Sequence, residues 1–133
     1  MKRAILLSLA LASVVHLSCS DSGPTAGELA IGFESPSGDD WAIRFTVTSA
    51  QPQTLEGLVE TCPGCRAFVR KVSDTELRVI LYGSPLPAGE VARLSVSDTR
   101  ALSGYSVALL EVAGGDLAAY PPATRSLSVS AVR

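Results

Sequence analysis

Histidine, cysteine and methionine are scarce in this sequence. Its 133 residues include one histidine, three cysteines and one methionine, and the formal net charge is −2. Three cysteines are too few for a small protein that depends on a disulfide framework. The near-neutral charge gives no electrostatic reason to expect nucleic-acid binding, and 47% hydrophobic residues exclude a disordered chain of low hydrophobicity. The length predicts a single folded domain.

The long apolar run of the chain stands at its N-terminus. Lys2 and Arg3 precede an almost wholly apolar stretch, and small residues follow up to Ser18. This order is typical of a secretory signal peptide. The run of about 14 residues is shorter than the roughly 20 that span a bilayer. We therefore expect residues 1–18 to be a signal peptide that is removed.

The next residue suggests a lipid anchor. The triplet Leu17-Ser18-Cys19 resembles the lipobox of bacterial lipoproteins, although His16 stands where most of them carry an aliphatic residue. The resemblance implies lipidation of Cys19 and a membrane anchor, and Ser20 after the cysteine implies the outer membrane of the cell envelope. Residues 19–27 would form a flexible polar tether. The alternative is an ordinary secreted protein in which Cys19 is unmodified.

Cleavage before Cys19 would change which reactive side chains the mature protein contains. It removes the one histidine and the one methionine and leaves nine basic residues against thirteen acidic ones. Without histidine, Ser-His-Asp and Cys-His catalysis and histidine-ligated metal sites are excluded. A hydrolase that uses two carboxylates stays possible, but no spacing of glutamates singles out an acid and a nucleophile. We predict a protein that is not an enzyme and needs no metal or cofactor.

Alternation of apolar and polar residues dominates the rest of the chain. Between residues 40 and 48 the odd positions up to 47 are large and apolar, which predicts a strand with one buried face. Similar patterns predict strands at 29–33, 77–81 and 127–131 and, more weakly, at 54–60, 67–72, 91–96 and 105–113. With Gly- and Pro-rich turns between them, eight such strands predict one antiparallel β-sandwich, jelly-roll or Ig-like, over residues 28–133. The segment after Asp98 has a helical alternative.

Four segments resemble parts of the cohesin-like and carbohydrate-binding-module-like β-sandwiches of bacterial surface proteins. They are Gly27–Ile31, Asp39–Ile43, Leu77–Gly83, and Pro87–Gly89 leading into Val91–Val96. The resemblance implies a jelly-roll-type fold with an adhesive or scaffolding role. The expected partner is a protein or a glycan.

The motif Cys62-Pro63-Gly64-Cys65 is open to three interpretations. A thioredoxin-like redox centre needs a helix that begins at the second cysteine, whereas the residues after Cys65 have a strand pattern. A four-cysteine zinc site needs a second pair. Thiols of an exported protein are expected to be oxidised, so we predict a structural disulfide in a tight turn, a hairpin between strands 54–60 and 67–72. A periplasmic thiol-disulfide redox protein remains the alternative function.

A few side chains are candidates for ligand contact. Tyr82 and Tyr120 stand next to predicted turns, and Leu86 is expected to be exposed in a Pro-rich connection. Trp41 and Phe68 lie on apolar faces and are expected to belong to the core. The pair Asp39-Asp40 is read as turn chemistry, with calcium binding as the weaker alternative.

Overall fold

The computed structural model of the protein describes residues 23–133, and its regular structure is almost wholly β-strand. The strands are β1 (Gly27–Glu34), β2 (Asp40–Ser49), β3 (Leu55–Glu60), β4 (Arg66–Ser73), β5 (Glu76–Tyr82), β6 (Gly89–Val96), β7 (Tyr105–Gly114), β8 (Ala119–Tyr120) and β9 (Ser126–Ala131). Two short 3₁₀ turns, Leu102–Gly104 and Pro122–Thr124, complete this part of the chain. Neither is long and apolar enough to cross a membrane, and residues 23–133 hold no helix that is. The expected signal peptide, Cys19 and the first part of the tether lie outside the described residues.

The strands form two antiparallel sheets. One has four strands in the order β3-β6-β1-β9, and the other has five in the order β4-β5-β2-β7-β8. The predicted all-β sandwich is confirmed, and each of the eight predicted strands is present. The segment after Asp98 becomes strand β7 rather than a helix. The short β8 was not predicted, because two residues carry no periodicity.

The core lies between the two sheets. Each inner strand of the two sheets places every second side chain in the core, because successive side chains of a β-strand point to opposite faces. The largest fully buried side chains are Phe33, Phe45, Leu29, Ile31, Ile43, Leu55, Leu77, Leu81 and Leu94. Tyr105 adds a hydrogen-bonded corner, since its hydroxyl donates to the carbonyl of Asp98 at 2.8 Å. This contact fixes the start of β7 to the segment that leaves β6.

Two aromatic residues expected in the core are exposed instead. Trp41 is 38% exposed, because the register with β7 shifts between Asp40 and Ala42 and places Asp40 inward. Phe68 is 60% exposed. It points outward from β4, which is the edge strand of the wider sheet. Both predictions of burial were wrong.

The cysteine motif connects the two sheets rather than forming a hairpin. β3 belongs to the four-stranded sheet and β4 to the five-stranded one, so the turn between them crosses from sheet to sheet. A disulfide joins Cys62 and Cys65, as expected. Gly64 has φ +73°, and the Cys65 amide donates to the Cys62 carbonyl at 3.2 Å. Proline followed by a glycine with positive φ is the pattern of a type II turn.

Candidate binding face

The outward side of the five-stranded sheet carries a group of exposed apolar side chains. We call it the apolar face, and define it by the exposed residues Phe68, Ile80, Tyr82 and Leu110 and the alanines 42, 113 and 119. Phe68 of β4 lies opposite Ile80 of β5 in the sheet register. The rings of Phe68 and Tyr82 stack with centroids 6.3 Å apart and planes 7° from parallel. Apolar side chains therefore continue across several neighbouring strands.

Three shallow grooves divide this face, and Arg44 lines all of them. The largest, about 480 Å³, lies between Ala42, Leu110 and Tyr120. A second of about 310 Å³ runs beside Phe68 and Ile80, and a third of about 190 Å³ lies towards the other end of β2. The grooves are open to solvent and mainly apolar, with a guanidinium between them. Such a surface suits an extended ligand better than a small enclosed one.

Four arginines stand on the same side of the sheet. Nη2 of Arg44 contacts Oε1 of Glu111 at 2.6 Å, and Nε of Arg78 contacts Oε1 of Glu76 at 3.0 Å. Within residues 23–133, Arg66 and Arg70 of β4 form no ion pair.

The register places two of these arginines opposite each other. Arg70 of β4 pairs with Arg78 of β5 in the sheet. Like charges directly opposite on neighbouring strands are destabilising. The apolar face thus has surplus positive charge, which favours an anionic partner.

The outward side of the four-stranded sheet has a different chemistry. Strand β9 presents the serines 126, 128 and 130 next to Gly32 of β1. Glu28 and Glu90 share Arg93, whose guanidinium lies 3.4 and 2.9 Å from their carboxylates. Val59 is the large exposed apolar residue of this sheet in the described range. The two outer faces are therefore polar and acidic on one side, and apolar and basic on the other.

The three residues predicted for ligand contact lie in different places. Tyr82 stands on the apolar face, and Tyr120 lies at the rim of the largest groove. Leu86 is only 5% exposed and packs into the core, so its expected exposure was wrong. The backbone explains this, because the Gly83 and Leu86 amides donate to carbonyls at the start of β2. These two hydrogen bonds hold the Pro-rich connection against the start of β2.

A buried ion pair closes the sandwich beside Tyr120. Asp40 is 1% exposed and receives two hydrogen bonds from Arg125, at 2.8 and 3.1 Å. Burial by itself raises the pKa of Asp40, but the hydrogen bonds from Arg125 and Ser35 and the Arg125 charge outweigh it and hold that pKa below its ordinary value. Asp39 accepts a hydrogen bond from the Tyr120 hydroxyl at 3.1 Å, which raises the pKa of that phenol.

These contacts bear on the calcium alternative. Both carboxylates of the Asp39-Asp40 pair already have protein donors. In the part of the chain that the structure describes, no three side chains of histidine, cysteine, aspartate or glutamate come together as metal ligands. The side-chain to backbone hydrogen bond expected of this turn is made by a serine and not by Asp39. The Asp39 amide donates to the hydroxyl of Ser37 at 3.2 Å.

The cysteines lack the surroundings that a thiol nucleophile needs. Cys62 and Cys65 are both buried, and strand β4 begins directly after them at Arg66. A redox Cys-x-x-Cys motif depends on an accessible sulfur at a helix N-terminus. The turn provides neither an exposed sulfur nor a helix.

The sequence held one signal for the apolar face that the strand patterns did not use. In β5 the inward residues Leu77, Val79 and Leu81 alternate with an outward set that ends in Ile80 and Tyr82. A strand with apolar residues on both sides is covered on both faces or exposes one.

Comparison with family models, with curated proteins and with solved structures finds no match to this chain.

Proposed function

We propose that this protein is a non-catalytic, lipid-anchored binding module of the cell envelope, and that its apolar face binds a protein partner. The observation that carries the proposal is the contrast between the two outer faces of the sandwich. Ile80 is 47% exposed on β5, inside the sheet, and Phe68 is 60% exposed on the neighbouring edge strand β4. Contiguous exposed apolar surface marks interaction sites in soluble domains.

The composition of the face favours a protein over a glycan. Aromatic residues and arginines are enriched at protein interfaces and supply most of their binding energy. A sugar ring stacks on an open aromatic face, whereas Phe68 and Tyr82 each turn one ring face to the other. The apolar grooves beside Arg44 also suit aliphatic side chains.

The N-terminal sequence supports the location. Export by a signal peptide, acylation of Cys19 and a short polar tether would hold the sandwich close to the membrane with its faces free. The proposed outer-membrane location rests on Ser20 after the lipobox cysteine. Two or more acyl chains are needed for stable anchoring, and a lipoprotein N-terminus would supply them.

Site-specific photocrosslinking in the native envelope tests the binding face. The full-length protein would carry a photoreactive phenylalanine analogue at Ile80 or, as the control, at Ser128 on the opposite sheet. Protease-sensitive adducts at position 80 and none at 128 are the expected result. Equal adducts at both positions, none at position 80, or protease-resistant glycan adducts there would contradict the proposal.

Replacing the lipobox cysteine tests the anchor. In cells supplied with labelled palmitate, the native protein is expected to take up label and to fractionate with the outer membrane. Cys19→Ala is expected to lose both properties, whereas Cys62→Ala, which alters a cysteine of the folded domain, keeps the label. Unlabelled native protein in the soluble fraction would contradict the lipoprotein assignment.

A further inference from the structure

Strand β4 is an open sheet edge. Its eight residues pair only with β5, and seven of them are exposed. It contains no proline, and its register with β5 is regular from Arg66 to Lys71. An edge strand that no other strand covers presents alternate amides and carbonyls to solvent, and these are able to pair with another strand.

The charge of β4 decides which strand it accepts. Arg66, Arg70 and Lys71 give it three cations and no anion. Pairing two copies edge to edge would bring six cations together, which disfavours a dimer across β4. Lys71 already contacts Asp74 at 3.4 Å, whereas Arg66 and Arg70 form no ion pair within residues 23–133. The edge is complementary to an acidic segment.

The side chains of β4 define a pattern for that segment. Arg66, Phe68 and Arg70 alternate on the outward side, so an incoming strand would meet cation, ring and cation at every second residue. On the inward side, Ala67 and Val69 offer small apolar contacts, and Val69 is still 39% exposed. The complementary sequence has acidic residues two positions before and after an apolar or aromatic one, with aliphatic residues between them.

We propose that β4 binds an extended acidic segment of the partner protein as a sixth strand of the five-stranded sheet. Main-chain hydrogen bonds to the open edge would supply affinity, and Arg66, Phe68 and Arg70 would supply selectivity. The inference rests on the proposed function, since it assigns the partner class and the mode of binding to the same face. It goes further by adding a main-chain contact at the β4 edge to the side-chain contacts of the face.

Synthetic peptides test the charge requirement. The probe is the acetylated, amidated peptide Ser-Glu-Val-Tyr-Val-Glu-Ser, titrated into the Cys19→Ala protein, and the control peptide carries lysine in place of both glutamates. The acidic peptide is expected to bind at least about tenfold more tightly, with an advantage that shrinks as salt is added. Equal binding of the two peptides, or no binding of the acidic one, would overturn the proposal.

Backbone methylation tests strand addition without altering the protein. One peptide carries N-methyl groups on both valines, and a second carries them on the glutamates and the tyrosine. In a sheet only one of these two sets faces β4. One methylated peptide is therefore expected to lose about tenfold or more in affinity while the other binds like the parent. Similar effects of the two methylation patterns would show that no strand is added.

A charge reversal on the protein locates the site. Arg70→Glu is expected to weaken the acidic peptide about tenfold, and Arg133→Glu, which changes the net charge equally at the end of the chain, is expected to leave the affinity unchanged. Equal losses in both variants would refute the location. Crosslinks at Ile80 in the envelope with no selectivity among the peptides would refute strand addition alone, whereas missing crosslinks at Ile80 would refute the proposed function itself.

Discussion

Two adjacent glycines, Gly114 and Gly115, leave space for the rings of Tyr120 and Trp41 at one end of the sandwich. A Cβ on Gly115 would lie 2.6 Å from Cε2 of Trp41, and a Cβ on Gly114 would lie 2.5 Å from the Tyr120 hydroxyl. Neither glycine is among the residues with positive φ. They are required because the rings approach the backbone closely, not because the backbone conformation is unusual.

The substitution Gly115→Ala tests this role. We expect it to lower the free energy of unfolding by about 1 to 2 kcal/mol, because the added methyl group forces the indole out of its seat. Trp41 is the one tryptophan of the chain, so its fluorescence emission reports the displacement directly. Gly38→Ala is the control, since a Cβ there meets no atom within 4 Å. Unchanged emission and stability for Gly115→Ala would contradict the role.

The buried ion pair predicts a second loss of stability. In Asp40→Asn the guanidinium of Arg125, whose side chain is 7% exposed, keeps its place without a charged partner. Removing one partner of a buried pair is destabilising, and we expect a loss of about 2 kcal/mol in urea unfolding. Asp74→Asn breaks only an exposed contact with Lys71 and is expected to change little. Equal effects of the two substitutions would contradict the argument.

The same pair makes stability depend on pH. Burial raises the pKa of Asp40, but its hydrogen bonds and the Arg125 charge leave that pKa below its ordinary value. A lowered folded-state pKa contributes stability above the unfolded-state pKa, and this contribution is lost as the pH falls through the folded-state pKa. We expect the melting temperature of the native protein to fall more steeply than that of Asp40→Asn on acidification from about pH 6 to pH 2. Parallel curves for the two proteins would be inconsistent with this linkage.

At the scale of single elements, the disulfide turn is the link between the sheets. The double substitution Cys62→Ala and Cys65→Ala is expected to lower the free energy of unfolding by about 2 kcal/mol, the chain-entropy value for so short a loop. Alkylation of Cys19→Ala protein that was never reduced is expected to find no free thiol. Two free thiols before unfolding would contradict the disulfide, and unchanged stability of the double variant would contradict its structural role.

The position of each longer strand along the chain was predictable from the sequence, but the order of the strands within the two sheets was not. Alternation is a local property, and it located all eight longer strands. Which sheet a strand joins depends on contacts far along the chain, and an inward face has the same pattern in either sheet. This is why the cysteine turn was expected in a hairpin, although β3 and β4 belong to different sheets.

The errors at Trp41 and Phe68 have two distinct physical causes. A one-residue shift of register reverses the direction of every side chain beyond it, and the shift between Asp40 and Ala42 exchanged the expected positions of Trp41 and Asp40. Phe68 alternates as expected, but its outward side has no covering layer. Of the candidate site, Tyr82 was predicted from its place beside a turn, whereas the edge position of β4 follows only from the sheet order.

On the scale of the whole molecule, charge is divided between the two sides of the sandwich. The four-stranded sheet presents Glu28, Glu34 and Glu90 outward with one arginine, Arg93, among them. The five-stranded sheet presents four of the nine basic residues that follow residue 18. Opposite charge on the two faces would orient the proposed anionic partner before contact and raise its rate of association.

The cations of β4 are also expected to keep the protein from pairing with itself. Long exposed edge strands associate unless charge or proline protects them. β4 has no proline, so its protection is the charge of its cations. Arg66→Thr with Arg70→Thr leaves a strand of high β-propensity around Phe68 and lowers the number of cations that two such edges would bring together from six to two. We expect this variant to show concentration-dependent dimers in sedimentation velocity while the native protein stays monomeric. The control Arg100→Thr with Arg133→Thr removes as much charge elsewhere and is expected to stay monomeric. Dimers of the native protein, or of the control alone, would show that repulsion at β4 does not govern association.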